Sequence, residues 1–144
     1  MAEHLIWYEN LRRGDVARVG GKNASLGEMI SALGARDIRV PQGFATTSDA
    51  YRRFLAANRL EPLIAERIAA LQAGRTSLHE AGSAIRTAIA AGEWPADIAD
   101  AIRSAYRELA ERTGRGEPSV AVRYSATAED LTDASFAGQQ ETFL

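Results

Sequence analysis

The apolar positions of the chain change period several times, and each change predicts an element. Leu5 to Tyr8 is a short apolar run that reads as an edge strand. Gly14 to Lys22 is rich in turn formers and ends in a glycine pair. Leu26, Met29, Ile30 and Leu33 then recur at helical spacing, which predicts an amphipathic helix. Ser25 with Glu28 fits a capping box for that helix, with Asn23 as the alternative cap, and Gly34 reads as its stop. Pro41 and Gly43 interrupt any helix over Ile38 to Thr47, and Phe44 to Thr47 reads as strand and turn. Thr47 or Ser48 caps a helix carrying Tyr51, Phe54 and Leu55. Three more helices are predicted: one with Leu60, Leu63, Ile64, Ile68 and Leu71, one with Leu78, Ile85 and Ile89, and one opening near Pro95 with Ile98, Ile102, Tyr106 and Leu109. Such stripes are ordinarily core.

The pattern then returns to period two. Thr113 to Pro118 is a polar loop, and Ser119 to Arg123 alternates as a strand does. Leu131 to Gly138 is small and polar. Gln139 to Leu144 reads as the opening of another strand, which needs a partner and a closing element. The sum is an α+β chain: short strands at either end of a helical middle section.

Composition narrows the function classes. The 144 residues are 46% hydrophobic and 25% charged, enough for one domain with a real core. There is no cysteine, so no disulfide scaffold and no thiolate metal or redox site. A net charge of −2 argues against nucleic acid as a partner. No signal segment or spanning apolar run is visible, so no membrane and a cytoplasmic location are expected. Alanine occurs 28 times, mostly between Ala50 and Ala110, which reinforces the helical reading there. Of the 17 basic residues only Lys22 is lysine, and it follows Gly20-Gly21. Lysine is a compact point charge where arginine is a planar fork, so a Gly-Gly-Lys turn suits a phosphate.

Two segments could carry chemistry. In Val19 to Ser25, glycines let the backbone approach an anion, and the following helix N-terminus offers N–H groups and the positive end of a dipole. The spacing is not that of a Walker loop. In Arg123 to Thr142, a strand-end arginine precedes a Ser/Ala/Thr run and the glycine-containing Ser135 to Gln139, which suits a flap over phosphates. Glu129, Asp130 and Asp133 read as turn capping and solvation before they read as metal ligands. His4 and His79 have no partner at ligand spacing, and no catalytic triad or carboxylate pair is legible.

Gly20 to Met29, Val40 to Thr47 and Val120 to Phe143 together closely resemble the N-terminus of the phosphoenolpyruvate synthases (pyruvate, water dikinases), along essentially the whole chain and in the same order. Rifampin phosphotransferases and pyruvate phosphate dikinases share parts of the pattern. The run Ala126 to Leu131 and Asp133 to Thr142 is long and specific. The resemblance implies the first part of an ATP-grasp-type domain, with residues 1–144 a partial ATP-binding domain truncated before its C-terminal part. It implies a reaction converting ATP, pyruvate and water to AMP, phosphoenolpyruvate and phosphate, with Mg²⁺ and a phosphorylated histidine on a separate swivelling domain. Carried over by position, Lys22 and Arg123 contact ATP phosphates, and Gly138 and Thr142 belong to the nucleotide flap. Catalytic residues and Mg²⁺ ligands are not expected in this chain. Its partners are then ATP and the remainder of the enzyme. Two positions depart from the pattern: Tyr124 stands where the family has serine, and Thr132 where it has proline. A non-catalytic remnant acting as an interaction module and part of a rifampin-phosphotransferase-like kinase stay open as alternatives.

Overall fold

The computed structural model describes residues 3–34 and 40–128, together with the backbone of 130–131, 134–135 and 142–143. It is mostly helical with a few short strands. By internal contacts the chain divides into two compact units, Met1–Ala50 with Asp100–Leu144, and Tyr51–Ala99.

In the first unit, β1 (Leu5–Trp7) pairs antiparallel with β2 (Phe44–Thr46), in the register Leu5 to Thr46 and Trp7 to Phe44. Both strands fall where the pattern predicts them. A 3-10 turn at Tyr8–Asn10 and another at Arg13–Asp15 lead into α1 (Val16–Val19), a single turn, and then α2 (Gly21–Leu33). Ile6, Leu11, Val19, Ala24 and Ala45 form the buried cluster, with Tyr8 and Val16 packed against it.

The inward face of α2 is not the predicted one. Gly21, Ala24 and Gly27 are its buried residues, whereas Met29 is 43% exposed. The reason is close approach. A Cβ on Gly27 would stand 2.4 Å from the Cβ of Leu11, a side chain with no exposure at all. Only a small-residue face lets the helix axis come this near, so the larger apolar residues sit to its flanks. The helix also starts earlier than a cap at Asn23 or Ser25 would allow. Gly20 is its N-cap, Glu28 instead accepts from the backbone N–H of Arg13 (3.3 Å), and the Asn23 amide donates to the Val19 carbonyl (2.9 Å). Gly34 does follow the last helical residue, in right-handed geometry.

α3 (Ser48–Ala57) is capped by Thr47, whose Oγ1 accepts from the Ala50 N–H at 3.2 Å. In the second unit Arg59 takes a left-handed conformation (φ 54°) at the junction with α4 (Leu60–Gln72). Asn58 ties this corner to Glu93 by donating to its carbonyl (2.9 Å) and accepting from its N–H (2.8 Å). α4 packs against α5 (Leu78–Ala90), and Phe54 stacks on Trp94. α6 (Ala96–Thr113) begins directly after Pro95. Ile98, Ala105 and Leu109 are its buried residues. No helix among the described residues is long and apolar enough to cross a membrane.

The strand expected over Ser119–Arg123 contracts to β3 (Val122–Arg123). β4 (Asp130–Leu131) pairs with β5 (Ala134–Ser135), and β6 (Thr142–Phe143) pairs antiparallel with β3. The terminal strand therefore finds a partner within the chain.

Candidate functional site

The two segments singled out in the sequence meet. α1 closes with the Gly20 N–H donating to the Val16 carbonyl (2.8 Å), and Gly20 then turns the chain at φ 81°. Few L-residues adopt that conformation. Space forbids one as well, because a Cβ on Gly20 would stand 2.2 Å from Ser125 Oγ and 2.7 Å from the Ser125 carbonyl carbon. With glycine there, residues 125–126 lie directly on the start of α2. The Gly21 N–H donates to the Ala126 carbonyl (3.2 Å), and the Asn23 N–H donates to Ser125 Oγ (3.3 Å).

These bonds correct one expectation. A helix N-terminus binds an anion through its unsatisfied amides. Here the backbone N–H groups of Gly21 and Asn23 already face protein acceptors, so those two are not free for an anion. Lys22, between them, is exposed, and its ammonium lies 5.9 Å from the centroid of the Tyr124 ring. Tyr124 is thus a neighbour of Lys22 as well as of Arg123.

Arg123 is exposed on β3, directly opposite Thr142 in the β3–β6 register. The positive charge of Arg123 also reaches Tyr8. Burial pushes the Tyr8 phenol above its ordinary value, and the guanidinium offsets part of that rise. Tyr8 in turn packs on Gly43. Its N–H donates to the Gly43 carbonyl (3.0 Å), and a Cβ on Gly43 would stand 2.6 Å from its ring. The structure thus joins the Lys22 segment to the Arg123 segment and sets the Thr142 backbone beside Arg123. Gly138 lies outside the described residues, as do Glu129, Thr132 and Asp133.

The sequence by itself singles out neither Ser125 nor Tyr8 individually. With the helix opening at Gly21 rather than at Asn23 or Ser25, the local capping candidates fall inside it, and the acceptor for the Asn23 N–H comes from Ser125. Among the described residues, no group of three or more His, Asp or Glu is placed to hold a metal ion. Two shallow hollows line α6, one bounded by Arg107, Glu111 and Arg115 and the other by Ile102, Arg103 and Tyr106; neither includes a candidate site residue.

Comparison with known proteins identifies the family. The family model for the pyruvate phosphate dikinase AMP/ATP-binding domain matches residues 16–144. A phosphoenolpyruvate synthase of Neisseria meningitidis is 53% identical over 142 residues, covering 98% of this chain and 18% of that protein. The Deinococcus radiodurans phosphoenolpyruvate synthase is 52% identical over 138 residues, covering 95% of this chain and 17% of its own length. That of Escherichia coli is 48% identical over 141 residues, covering 97% and 18%. The chain therefore spans under a fifth of the length of these relatives.

Proposed function

The chain belongs to the pyruvate phosphate dikinase AMP/ATP-binding family, and from that membership we propose that residues 1–144 form the first part of an ATP-grasp-type nucleotide domain of a phosphoenolpyruvate synthase. Its reaction takes ATP, pyruvate and water to AMP, phosphoenolpyruvate and phosphate. Phosphoryl transfer asks the protein mainly for positioning and for neutralisation of the phosphate oxygens. In this reading the Lys22 ammonium supplies a mobile point charge and the Arg123 guanidinium a two-pronged donor for the same polyphosphate. Thr142 adds a contact from the strand beside Arg123, and Gly138 gives backbone access in the flap.

The observation behind the proposal is the seating of the Gly20–Asn23 turn on Ser125 and Ala126, which joins the two segments that carry Lys22 and Arg123, 101 positions apart in the chain. Mg²⁺ would supply further charge neutralisation on the phosphates. Among the described residues there is no group of three or more His, Asp or Glu for it.

The test uses the uniqueness of Lys22. Selective [15N]lysine labelling of the chain gives one lysine amide signal. Titration with millimolar ATP is expected to move that signal saturably, and Arg123→Ala is expected to weaken the response. A Lys22 signal that stays fixed throughout the titration overturns the assignment.

A further inference from the structure

We propose that Ser125 is a positioning residue of the nucleotide site: its hydroxyl caps α2 from the opposite segment and thereby sets Lys22 at a fixed separation from Arg123. This rests on the reading of Lys22 and Arg123 as phosphate ligands and adds to it the device that holds them together.

The geometry is a bracket. Lys22 has one bonded neighbour on each side, Gly21 to the Ala126 carbonyl at 3.2 Å and Asn23 to Ser125 Oγ at 3.3 Å. Those two acceptors belong to residues two and three positions after Arg123. The backbones of Lys22 and Arg123 are thus linked through two short hydrogen-bonded paths. An N-cap hydroxyl normally precedes its own helix and satisfies one of the orphan amides of the first turn. Here the residue in that place is Gly20, whose positive φ and missing side chain leave it unable to cap. The vacant volume where its Cβ would lie is filled by Ser125, 2.2 Å from that position. The glycine and the serine act as a matched pair: the first makes room, and the second supplies the oxygen. Losing the hydroxyl leaves the Asn23 amide without its acceptor and frees one side of the bracket. Lys22 and Arg123 then converge on a polyphosphate less often.

α5 provides a control for mere loss of a cap. Ser77 Oγ accepts from the Glu80 N–H at 3.2 Å, the same kind of bond at the start of a helix that carries no candidate site residue. The experiment titrates ATP into the full 144-residue chain while following the Lys22 amide and the Arg123 side-chain signals, and records thermal melts alongside. In the wild type both signals are expected to share one midpoint. Ser125→Ala is expected to raise that midpoint about fivefold, the full stability worth of one cap being felt at the site itself, and to separate the Lys22 and Arg123 midpoints. Ser125→Thr, which restores the hydroxyl, is expected to rejoin them. Ser77→Ala is expected to lower the melting temperature while leaving the ATP midpoint alone. If Ser125→Ala does not fold, Ser125→Cys, with a similar volume and a weak acceptor, gives the same comparison. A Ser125→Ala chain that titrates as wild type overturns this inference alone, as does a Ser77→Ala chain that loses as much ATP affinity. Wild-type signals that never move overturn the nucleotide reading and this inference with it.

Discussion

Tyr124 stands where the family resemblance implies a serine, and its surroundings suggest an experiment. Its ring is half exposed and lies 5.9 Å from the Lys22 ammonium, near the outer limit of a cation–π contact. At an exposed site such a contact is worth about 0.5–1 kcal/mol. If Lys22 serves a phosphate as proposed, this contact competes with it. Tyr124→Ser is therefore expected to leave ATP affinity unchanged or to improve it by up to about fivefold, measured on the Lys22 signal. A large loss of affinity would show that the ring itself holds the nucleotide. For Lys22 the expectation runs the other way. In a chimera where residues 1–144 replace the matched segment of the Escherichia coli relative, Lys22→Ala is expected to cost about 3 kcal/mol of transition-state stabilisation. Lys22→Arg is expected to recover only part of this, because a planar fork does not reach where a point charge on a flexible stem does. Pyruvate-dependent AMP release measures both, and wild-type turnover in either variant contradicts the assignment.

At the scale of elements, α2 is where folding and site coincide. Gly27 faces Leu11 so closely that an added methyl would stand 2.4 Å from its Cβ and 2.7 Å from its carbonyl oxygen. The backbone cannot yield there without lifting the helix. Gly27→Ala is accordingly expected to destabilise the chain by about 1–3 kcal/mol, despite the better helix propensity of alanine, and urea unfolding checks it. α5 offers a pH-dependent counterpart. The Ser77 backbone N–H, first, and then the Ser77 and Thr76 hydroxyls hold the Glu80 carboxyl below its ordinary value. A depressed carboxyl contributes stability above its unfolded value and loses it as pH falls through the folded one. Acidification should therefore fray the start of α5 in the wild type and not in Glu80→Gln, as read by amide exchange at Glu80 and Ala81. These elements also show which parts of the fold the sequence discloses. The strands at Leu5 and Phe44, the Thr47 cap and the helices of the middle section rest on local periodicity and local chemistry, and they stand where the pattern puts them. The start and inner face of α2 do not, because both are decided by contacts beyond the local sequence. The cap is Ser125, 102 residues away, and the close packing comes from glycines that a hydrophobic pattern counts as blanks. The site divides along the same line. Lys22 was conspicuous as the sole lysine and Arg123 as a strand-end arginine, whereas Tyr8 and Ser125 acquire meaning only from the approach of other segments.

In the proposed reading the described residues contribute one lysine and one arginine toward a polyphosphate, and that sets what the chain is expected to do unaided. Transfer of a phosphoryl group needs its charge neutralised on several oxygens at once, ordinarily by a metal ion together with basic side chains. Among the described residues no three His, Asp or Glu are grouped for a metal. The two histidines, His4 and His79, stand before β1 and within α5, on neither of the segments that meet at Lys22. The relatives that resemble this chain so closely are more than five times as long. ATP binding and turnover should therefore separate. The 144-residue chain is expected to bind ATP weakly through Lys22 and Arg123 while releasing no AMP from ATP, pyruvate and Mg²⁺. The chimera with the rest of the Escherichia coli relative is expected to release AMP in a pyruvate-dependent manner that Lys22→Ala suppresses. The measurement is AMP release from the purified chain and the purified chimera at matched concentration. Sustained pyruvate-dependent release by the chain alone, abolished by Lys22→Ala, would mean that these residues already complete a phosphoryl-transfer site. A chimera that binds ATP at Lys22 and yet stays inactive would point instead to a nucleotide-binding segment whose geometry does not serve transfer, with Tyr124→Ser as the first change to try.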